Sequence, residues 1–424
     1  MTQSGSRWDR CLKYCARTDV GLRRANNQDS HAVFLAGSAH QWRKRGHVFV
    51  VADGMGAHAA GERASRIATD TIPLSYSKRS EPPAEALLAA VEEAHRLIHE
   101  QGEADEAFRR MGTTVDTLVL LPEGALVAHV GDSRVYRLRK RKLEQLTFDH
   151  SLVWEIRAAG NLKEKEVPSY IPKNVITRSL GPTETVDVDL EGPFPIETGD
   201  TYLLCSDGLS GQLPDEELGQ ILASLEPEEA AETMVNLANL RGGPDNITLI
   251  IVRVTGQLET VDDAPRRAER RRISTTAWTM LGLAVGALAT SGLGMGIDQA
   301  PVAWGGAILA GIFLFFFGAL ALGLFSSDDS ASERFPGMLG GMLGKGPHTR
   351  TSGTPGREFA IELKEILQQL RDAALSDQWK IEWDDIDQLE KKFDEAIQSG
   401  RHEAAVKSGC RTINLLMEKI RRQK

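Results

Sequence analysis

The chain has four cysteines in 424 residues, Cys11, Cys15, Cys205 and Cys410, and no two of them form a C-x2-C pair. A thiolate zinc site is therefore not expected, and so wide a scatter makes no disulfide framework. A reducing compartment is the default for such cysteine usage. No apolar stretch follows the opening MTQSGSRWDRC, so no secretory signal is read there. Positive charge is not in excess either. The formal net charge is −9, which argues against a nucleic-acid partner and leaves the basic residues as local features. What the chain does have is length and an apolar content of 41%, enough for two or three domains with a sizeable core.

The stretch that organises the rest is 48–65, VFVVADGMGAHAAGERAS. Its apolar run, Val48 to Ala52, reads as a strand buried on both faces and stops at Asp53. Gly54, Gly56 and Gly61 follow, where backbone must turn sharply or admit a close approach, and a helical pattern starts near Glu62. A carboxylate presented there is costly unless something positive offsets its desolvation. A lone Asp-Gly more often caps a turn. Two further strand-end aspartates later in the chain tip the balance the other way.

Residues 12–20 read as a first strand, leading into a polar loop with Arg23, Arg24 and Asp29. A guanidinium fork matches phosphate oxygens, so this loop is an anion clamp or simply a solvated surface. Residues 61–78 and 84–100 read as amphipathic helices split by Pro82-Pro83. A close-spaced β meander follows over 113–146, with Asp132 after Gly131 at the end of the strand 125–130. Residues 148–181 are irregular, with a helix around 151–159, and are expected to form a flap. A short strand, 201–205, runs into Ser206-Asp207-Gly208. Two helices, 214–225 and 227–241, precede Gly242-Gly243-Pro244, Asp245-Asn246 and a last strand, 247–254.

Asp53, Asp132, Asp207 and Asp245 thus share one plan, an aspartate at a strand boundary beside glycine or a turn. Strand ends of one sheet are neighbours, and converging carboxylates repel unless cations sit among them. Oxygen-only ligands select hard ions, Mg²⁺ or Mn²⁺. Two such ions bridged by one carboxylate hold a water between them and acidify it, giving a hydroxide suited to in-line attack on phosphorus.

In this order the segments Arg24…Asn27-Gln28-Asp29, Val51-Ala52-Asp53-Gly54-Met55-Gly56, Gly112-Thr113-Thr114, Gly131-Asp132-Ser133-Arg134, Cys205-Ser206-Asp207-Gly208 and Asp245-Asn246-Ile247-Thr248 resemble the PPM/PP2C family of metal-dependent protein serine/threonine phosphatases, in its bacterial form. Each motif is short; together and in order they are specific. The resemblance covers residues 12–254 and implies an α/β fold, a β-sandwich flanked by helix pairs, over a phosphatase domain of residues 1–255. It implies that Asp53 bridges two central Mg²⁺ or Mn²⁺ ions, with the Gly54 carbonyl as a further ligand. Asp207 and Asp245 then complete the second ion, and Asp29 acts from the outer shell through water. Asp132, with Asp207, holds a more weakly bound third ion. Arg24 binds the substrate phosphate, so Arg24 and Asp53 are the residues expected at the reaction itself. Phosphoproteins are the implied substrates and a serine/threonine kinase the opposing partner.

Two positions depart from the family pattern. Gln28 stands where many members have glutamate, and Met55 stands where eukaryotic members place a histidine thought to act as general acid; His58 lies three residues on. The alternative class is an inactive membrane receptor using the same fold for binding, for which Gln28 is the single hint against a complete aspartate set. Two competing motifs fail on chemistry. Cys11 and Arg17 have C-x5-R spacing, but the intervening residues read as strand rather than a phosphate-cradling loop. Gly344-Lys345 resembles the end of a P-loop, but Leu339 replaces the first glycine and no Ser or Thr follows the lysine.

Beyond the phosphatase domain, residues 256–272 form a linker ending in Arg266, Arg267, Arg270, Arg271 and Arg272. Two runs nearly free of charge, 273–297 and 302–325, are long enough to span a bilayer and read as a transmembrane hairpin within 273–325. The arginines then place the phosphatase domain and the C-terminus on the cytoplasmic side, as a two-span protein of the cytoplasmic membrane. Residues 326–356, rich in Gly, Ser and Pro, read as a flexible linker. Residues 357–424 read as a small all-α module with no chemistry of its own, available to a protein partner.

Overall fold

The computed structural model describes residues 11–56, 59–160, 171–172, 175–256 and 342–422, with short helical pieces at 283–285, 287–289 and 308–309. Met1–Thr260 and Met342–Lys424 together form one compact unit, and Val261–Gly341 form another.

The first unit is built on two sheets. One has the order β1 (Leu12–Asp19), β11 (Ile247–Val254), β10 (Thr201–Cys205), β7 (Arg134–Arg139), β8 (Lys142–Gln145), β12 (Thr349–Ser352). The other runs β2 (Asp29–Phe34), β3 (His47–Met55), β5 (Val115–Leu121), β6 (Gly124–Val130), β9 (Asp189–Phe194), with the short β4 (Gly112–Thr113) paired to the end of β3. All pairings in both sheets are antiparallel. Period-2 alternation gives each sheet an inner face. Phe49, Val51, Leu118, Leu120 and Val127 meet Val135, Tyr202, Leu204, Ile250 and Val252 in one buried cluster. That is the expected sandwich.

Helices cover the outer faces. α1 (Ala39–Arg45) is a short helix capped by the Ser38 side chain, which accepts from the Gln41 N–H. α2 (Ala60–Lys78) and α3 (Pro83–Ala104) are the expected pair, the second opened by Pro83 in its first turn. α4 (Leu152–Gly160) lies in the segment 148–181, and α5 (Asp207–Ser210) is a single turn. α6 (Asp215–Ser224) and α7 (Pro227–Leu240) lie on the outer face of the first sheet. There Leu218, Ile221, Met234 and Leu237 pack with Tyr136, Leu203, Leu249 and Ile251.

β3 does not stop at Asp53. It runs on to Met55 because it changes partner, from β5 up to Val51–Asp116 to β4 at Gly54–Thr113. β2 and β9 have no clear period-2 apolar pattern. β2 reads DSHAVF and is half-buried throughout. Their places come from the sheet rather than from their own sequence.

The C-terminal region corrects two expectations. Of the linker 326–356 the described part, 342–356, is not flexible coil: β12 adds a sixth strand to the first sheet, beside β8. Gly219 of α6 and Gly353 approach so closely that a Cβ at 219 would stand 2.8 Å from the Gly353 Cα. The helices α8 (Arg357–Ser376), α9 (Asp384–Gln398) and α10 (His402–Arg421) are not a separate module with faces free for a partner. Phe359, Leu363, Leu367, Phe393, Ile413 and Leu416 are buried in the same cluster as α6 and α7. Asn414 joins the seam, donating to Thr233 Oγ1 at 3.0 Å and accepting from Asn236 Nδ2 at 3.0 Å. The amphipathic faces read in the sequence have found their partner within the chain.

The membrane assignment is also corrected. Among the described residues no helix is long and apolar enough to cross a membrane. The described long helices pair one apolar stripe with a charged face, which suits packing on a core; α3 alone carries Glu85, Glu92, Glu93, Arg96, Glu100 and Glu103. The two runs read as spans, 273–297 and 302–325, and the arginines 266–272 lie almost wholly outside the described residues.

Candidate active site

The aspartates meet where ends of both sheets come together. Asp29 and Asp53 are direct partners across β2 and β3. Asp132 occupies the turn after β6, Asp207 opens α5 after β10, and Asp245 precedes β11. Each is held by polar groups that fix the backbone beneath it.

Asp53 sits where β3 changes partner. Thr114 interrupts the ladder between β4 and β5, and its Oγ1 accepts the Asp53 N–H at 2.9 Å. The Asp53 carbonyl in turn accepts from the Thr114 N–H at 2.9 Å and from Thr113 Oγ1 at 2.8 Å. Thr114 Oγ1 also meets Ser133 Oγ at 2.8 Å, tying Asp53 to the turn that carries Asp132. Ser206 Oγ donates to Asp29 Oδ2 at 2.8 Å, linking β2 to the Asp207 turn. Asn246 Oδ1 accepts from the Gln28 N–H at 2.8 Å, while its Nδ2 donates to the carbonyls of Val20 and Asn26 at 2.9 and 3.0 Å. Asn246 thereby fastens the arginine loop to the turn carrying Asp245, just before β11. Two glycines are required by close approach: a Cβ on Gly54 would strike the Gln28 and Gly61 carbonyls, and one on Gly208 would strike the Asn246 carbonyl.

The electrostatics show that these carboxylates face one another. Burial, followed by repulsion from Asp29, Asp207, Asp132 and Asp245, holds the Asp53 carboxyl well above the usual carboxylate range. Asp29 is pushed up to about 7 by burial, with Ser206 and Thr248 opposing the shift. Burial and then Asp207 push Asp132 up to about 7. Asp207 is raised by burial and by Asp245. Arg24 and Arg134 both oppose the shift of Asp207. Arg24 Nη2 donates to Asp245 Oδ2 at 2.6 Å, and half of the Arg24 side chain remains exposed.

Three oxygens in this cluster, Asp29 Oδ1, Asp132 Oδ1 and Asp207 Oδ1, are buried with no hydrogen-bond partner. A buried carboxylate oxygen without a donor is unstable unless a cation or water serves it. Among the described residues no three His, Cys, Asp or Glu side chains close into one tight ligand set. The donors are spread across the sheet ends, an arrangement that fits small hard ions which retain several waters. The residues present therefore fit divalent cations.

All of the sequence-predicted positions, Arg24, Asp29, Asp53, Gly54, Asp132, Asp207 and Asp245, come to this one region. His58 lies outside the described residues. Gln28, at the position where glutamate is common in the family, donates from Nε2 to the Gly56 carbonyl at 3.4 Å, which an ionised glutamate could not do. Ser206, Ser133 and Asn246 were not singled out as supports in the sequence. The signal available for them was adjacency: each directly precedes or follows one of the aspartates.

Residues 23–239 match the family model described as Protein phosphatase 2C. The protein phosphatase PhpP of Streptococcus pneumoniae is 38% identical over 242 residues, which cover 55% of this chain and 94% of that protein. Among solved structures, the Streptococcus agalactiae serine/threonine phosphatase aligns with a TM-score of 0.52 at 34% identity, covering 57% of this chain and 99% of the other. The Mycobacterium tuberculosis serine/threonine phosphatase PstP/Ppp aligns with a TM-score of 0.51 at 36% identity, covering 58% of this chain and 99% of the other.

Proposed function

We infer the workings of the site from one premise: this chain belongs to the protein phosphatase 2C family, is a protein serine/threonine phosphatase, and uses the family's Mg²⁺ or Mn²⁺. It removes phosphate from phosphoserine and phosphothreonine side chains of proteins, and a serine/threonine kinase supplies those substrates.

The observation that carries the assignment of roles is the convergence on Asp53 of four other carboxylates. In this reading Asp53, the Gly54 carbonyl, Asp207 and Asp245 would hold the two central ions, Asp29 would support them from the outer shell, and Asp132 with Asp207 would hold a third. Bound there, divalent ions would supply the positive charge that offsets the cluster and the acidification of water needed for a nucleophile at neutral pH.

The chain's own residues do the rest. Arg24 is placed at the exposed rim, with one guanidinium nitrogen bonded to Asp245 and further N–H groups left for phosphoryl oxygens. Asp245 thereby aims the guanidinium at the carboxylate cluster. Asn246 and Ser206 keep the Arg24 loop and Asp29 in register with the two acidic turns. Met55, at the position where eukaryotic members place a histidine, offers no proton to the departing serine or threonine oxygen.

The test is hydrolysis of a phosphothreonine peptide by the full chain, stripped of metal and then supplied with Mn²⁺. Activity should require the metal, and Asp207→Ala should remove most of it. Arg24→Ala should lower kcat/KM by about 10- to 100-fold, the scale of a charged hydrogen bond worth about 1.5–3 kcal/mol. Full activity in excess chelator would sink the reading.

A further inference from the structure

The matched relatives are covered almost end to end by little more than half of this chain, which then continues into β12 and α8–α10. The segment leading to β12 makes an unusual contact. Glu191 of β9 is 4% exposed, and its carboxylate is met by that segment. Its Oε2 accepts the Gly346 N–H at 2.7 Å, and its Oε1 accepts the Lys345 N–H at 3.2 Å and His348 Nε2 at 3.0 Å. Successive backbone N–H groups around an anion form a nest, so the Gly344-Lys345-Gly346 sequence that looked like a broken P-loop cradles a carboxylate of its own chain. Gly344 has φ of +71°, and a side chain there would strike the Glu191 carboxylate. Gly192 and Leu343 exchange both backbone hydrogen bonds, at 3.1 and 2.6 Å. The segment thus spans from the second sheet at β9 to the first at β8.

His348 also leads inward. Its N–H donates to the Gln145 carbonyl at 2.8 Å, and its ring stands edge-on to Phe148 with centroids 5.6 Å apart. The Phe148 carbonyl faces His129 Nε2 at 2.8 Å, and Asp149 binds Arg134 through both carboxylate oxygens. Next comes His150, whose N–H donates to the Gly131 carbonyl at 2.7 Å and whose Nδ1 accepts the Gly131 N–H at 3.1 Å. Gly131 adjoins Asp132. An unbroken line of packed and hydrogen-bonded groups therefore runs from Glu191 and His348 to the Asp132 turn.

We propose that Glu191 and His348 are positioning residues for the phosphatase site: the C-terminal segment, clasped at Glu191, sets the Phe148–His150 segment and through it the turn that presents Asp132. The proposal rests on the reading of Asp132 as a ligand of the third ion. The C-terminal part of the chain is then a working part of the enzyme rather than an appendage.

The test uses the full chain with Glu191→Ala, His348→Leu and the milder Glu191→Gln. The first readout is amide hydrogen exchange of the metal-free protein. Glu191→Ala and His348→Leu should speed exchange in 129–134 and 148–152 while leaving α2 and α3 at the wild-type rate, and Glu191→Gln should fall between. The second is Mn²⁺ binding by calorimetry, whose weakest step should weaken by about threefold or more, the scale on which side chains along such a line modulate a distant site. His348→Leu leaves Glu191 its two backbone donors, so it reports even where Glu191→Ala does not fold. Faster exchange confined to 189–194 and 342–352, or spread evenly through the molecule, with unchanged Mn²⁺ binding would overturn the proposal. Loss of Mn²⁺ binding with Asp132→Ala is the control: if that variant binds like wild type, the ligand reading has failed instead.

Discussion

Asp29 and Asp53 stand directly opposite each other as partners on adjacent antiparallel strands. Like charges so placed are destabilising, and here both carboxyls are also driven up by burial, Asp29 to about 7. The arrangement spends stability on a site whose charge is meant to be neutralised from outside.

The first prediction follows from that sign. A carboxyl whose pKa is raised on folding binds its proton more tightly in the native state than in the unfolded one. Its favourable contribution is complete below the unfolded value, 3.8, and is lost as pH rises through the folded value of about 7. In metal-free protein the wild type should therefore lose stability relative to Asp29→Asn as pH rises from 4 to 7. Thermal unfolding of both at a series of pH values measures this. A difference in Tm that stays constant across the window would contradict it.

Asn246 and Gly208 provide a second prediction, about geometry rather than charge. Asn246→Ala removes three hydrogen bonds that fasten the Arg24 loop. It should cost about 1–3 kcal/mol of stability, the penalty for leaving buried partners unmet, with a rise in KM for phosphopeptide. Gly208→Ala would push the Asp207 turn away from the Asn246 carbonyl. It should reduce kcat by an order of magnitude or more, since a misplacement of about 1 Å costs on the order of 100-fold. Steady-state kinetics at saturating Mn²⁺ separate the two effects.

Much of the site was legible in the sequence, because an aspartate placed after an apolar run or beside glycine leaves a local mark. Asp53, Asp132 and Asp207 carry it, and Asp245 follows the turn signal Gly242-Gly243-Pro244. The supports did not: Thr114 matters because β3 exchanges one partner strand for another, a fact about pairing that no single segment encodes. The strand β12, TRTS, has no apolar pattern at all. It is a strand because β8 offers an open edge and Glu191 fastens the approach to it. The C-terminal helices were read correctly as amphipathic, but periodicity states only that a face is to be covered, and α6 and α7 cover it. The two uncharged runs, 273–297 and 302–325, lie almost wholly outside the described residues, among which no helix is long and apolar enough to cross a membrane.

A third prediction concerns that shared core. Leu363 is fully buried among residues of α6, α7 and α10. Leu363→Ala should destabilise the whole first unit by about 2–5 kcal/mol and do so in a single transition with the catalytic region. Urea unfolding followed separately by tryptophan fluorescence and by loss of activity should give coincident midpoints. Two separated transitions, with activity outlasting the first, would show the helices to be an independent body.

In the proposed reading one carboxylate, Asp53, would serve two ions at once. Calorimetric titration of metal-free full-length protein with Mn²⁺, wild type against Asp53→Asn, tests it most directly. At least two bound ions are expected in the wild type and the loss of both central ions in the single variant, because removing a ligand shared by two sites weakens both. An Asp53→Asn protein that stays folded and still binds two Mn²⁺ ions with wild-type affinity would contradict it.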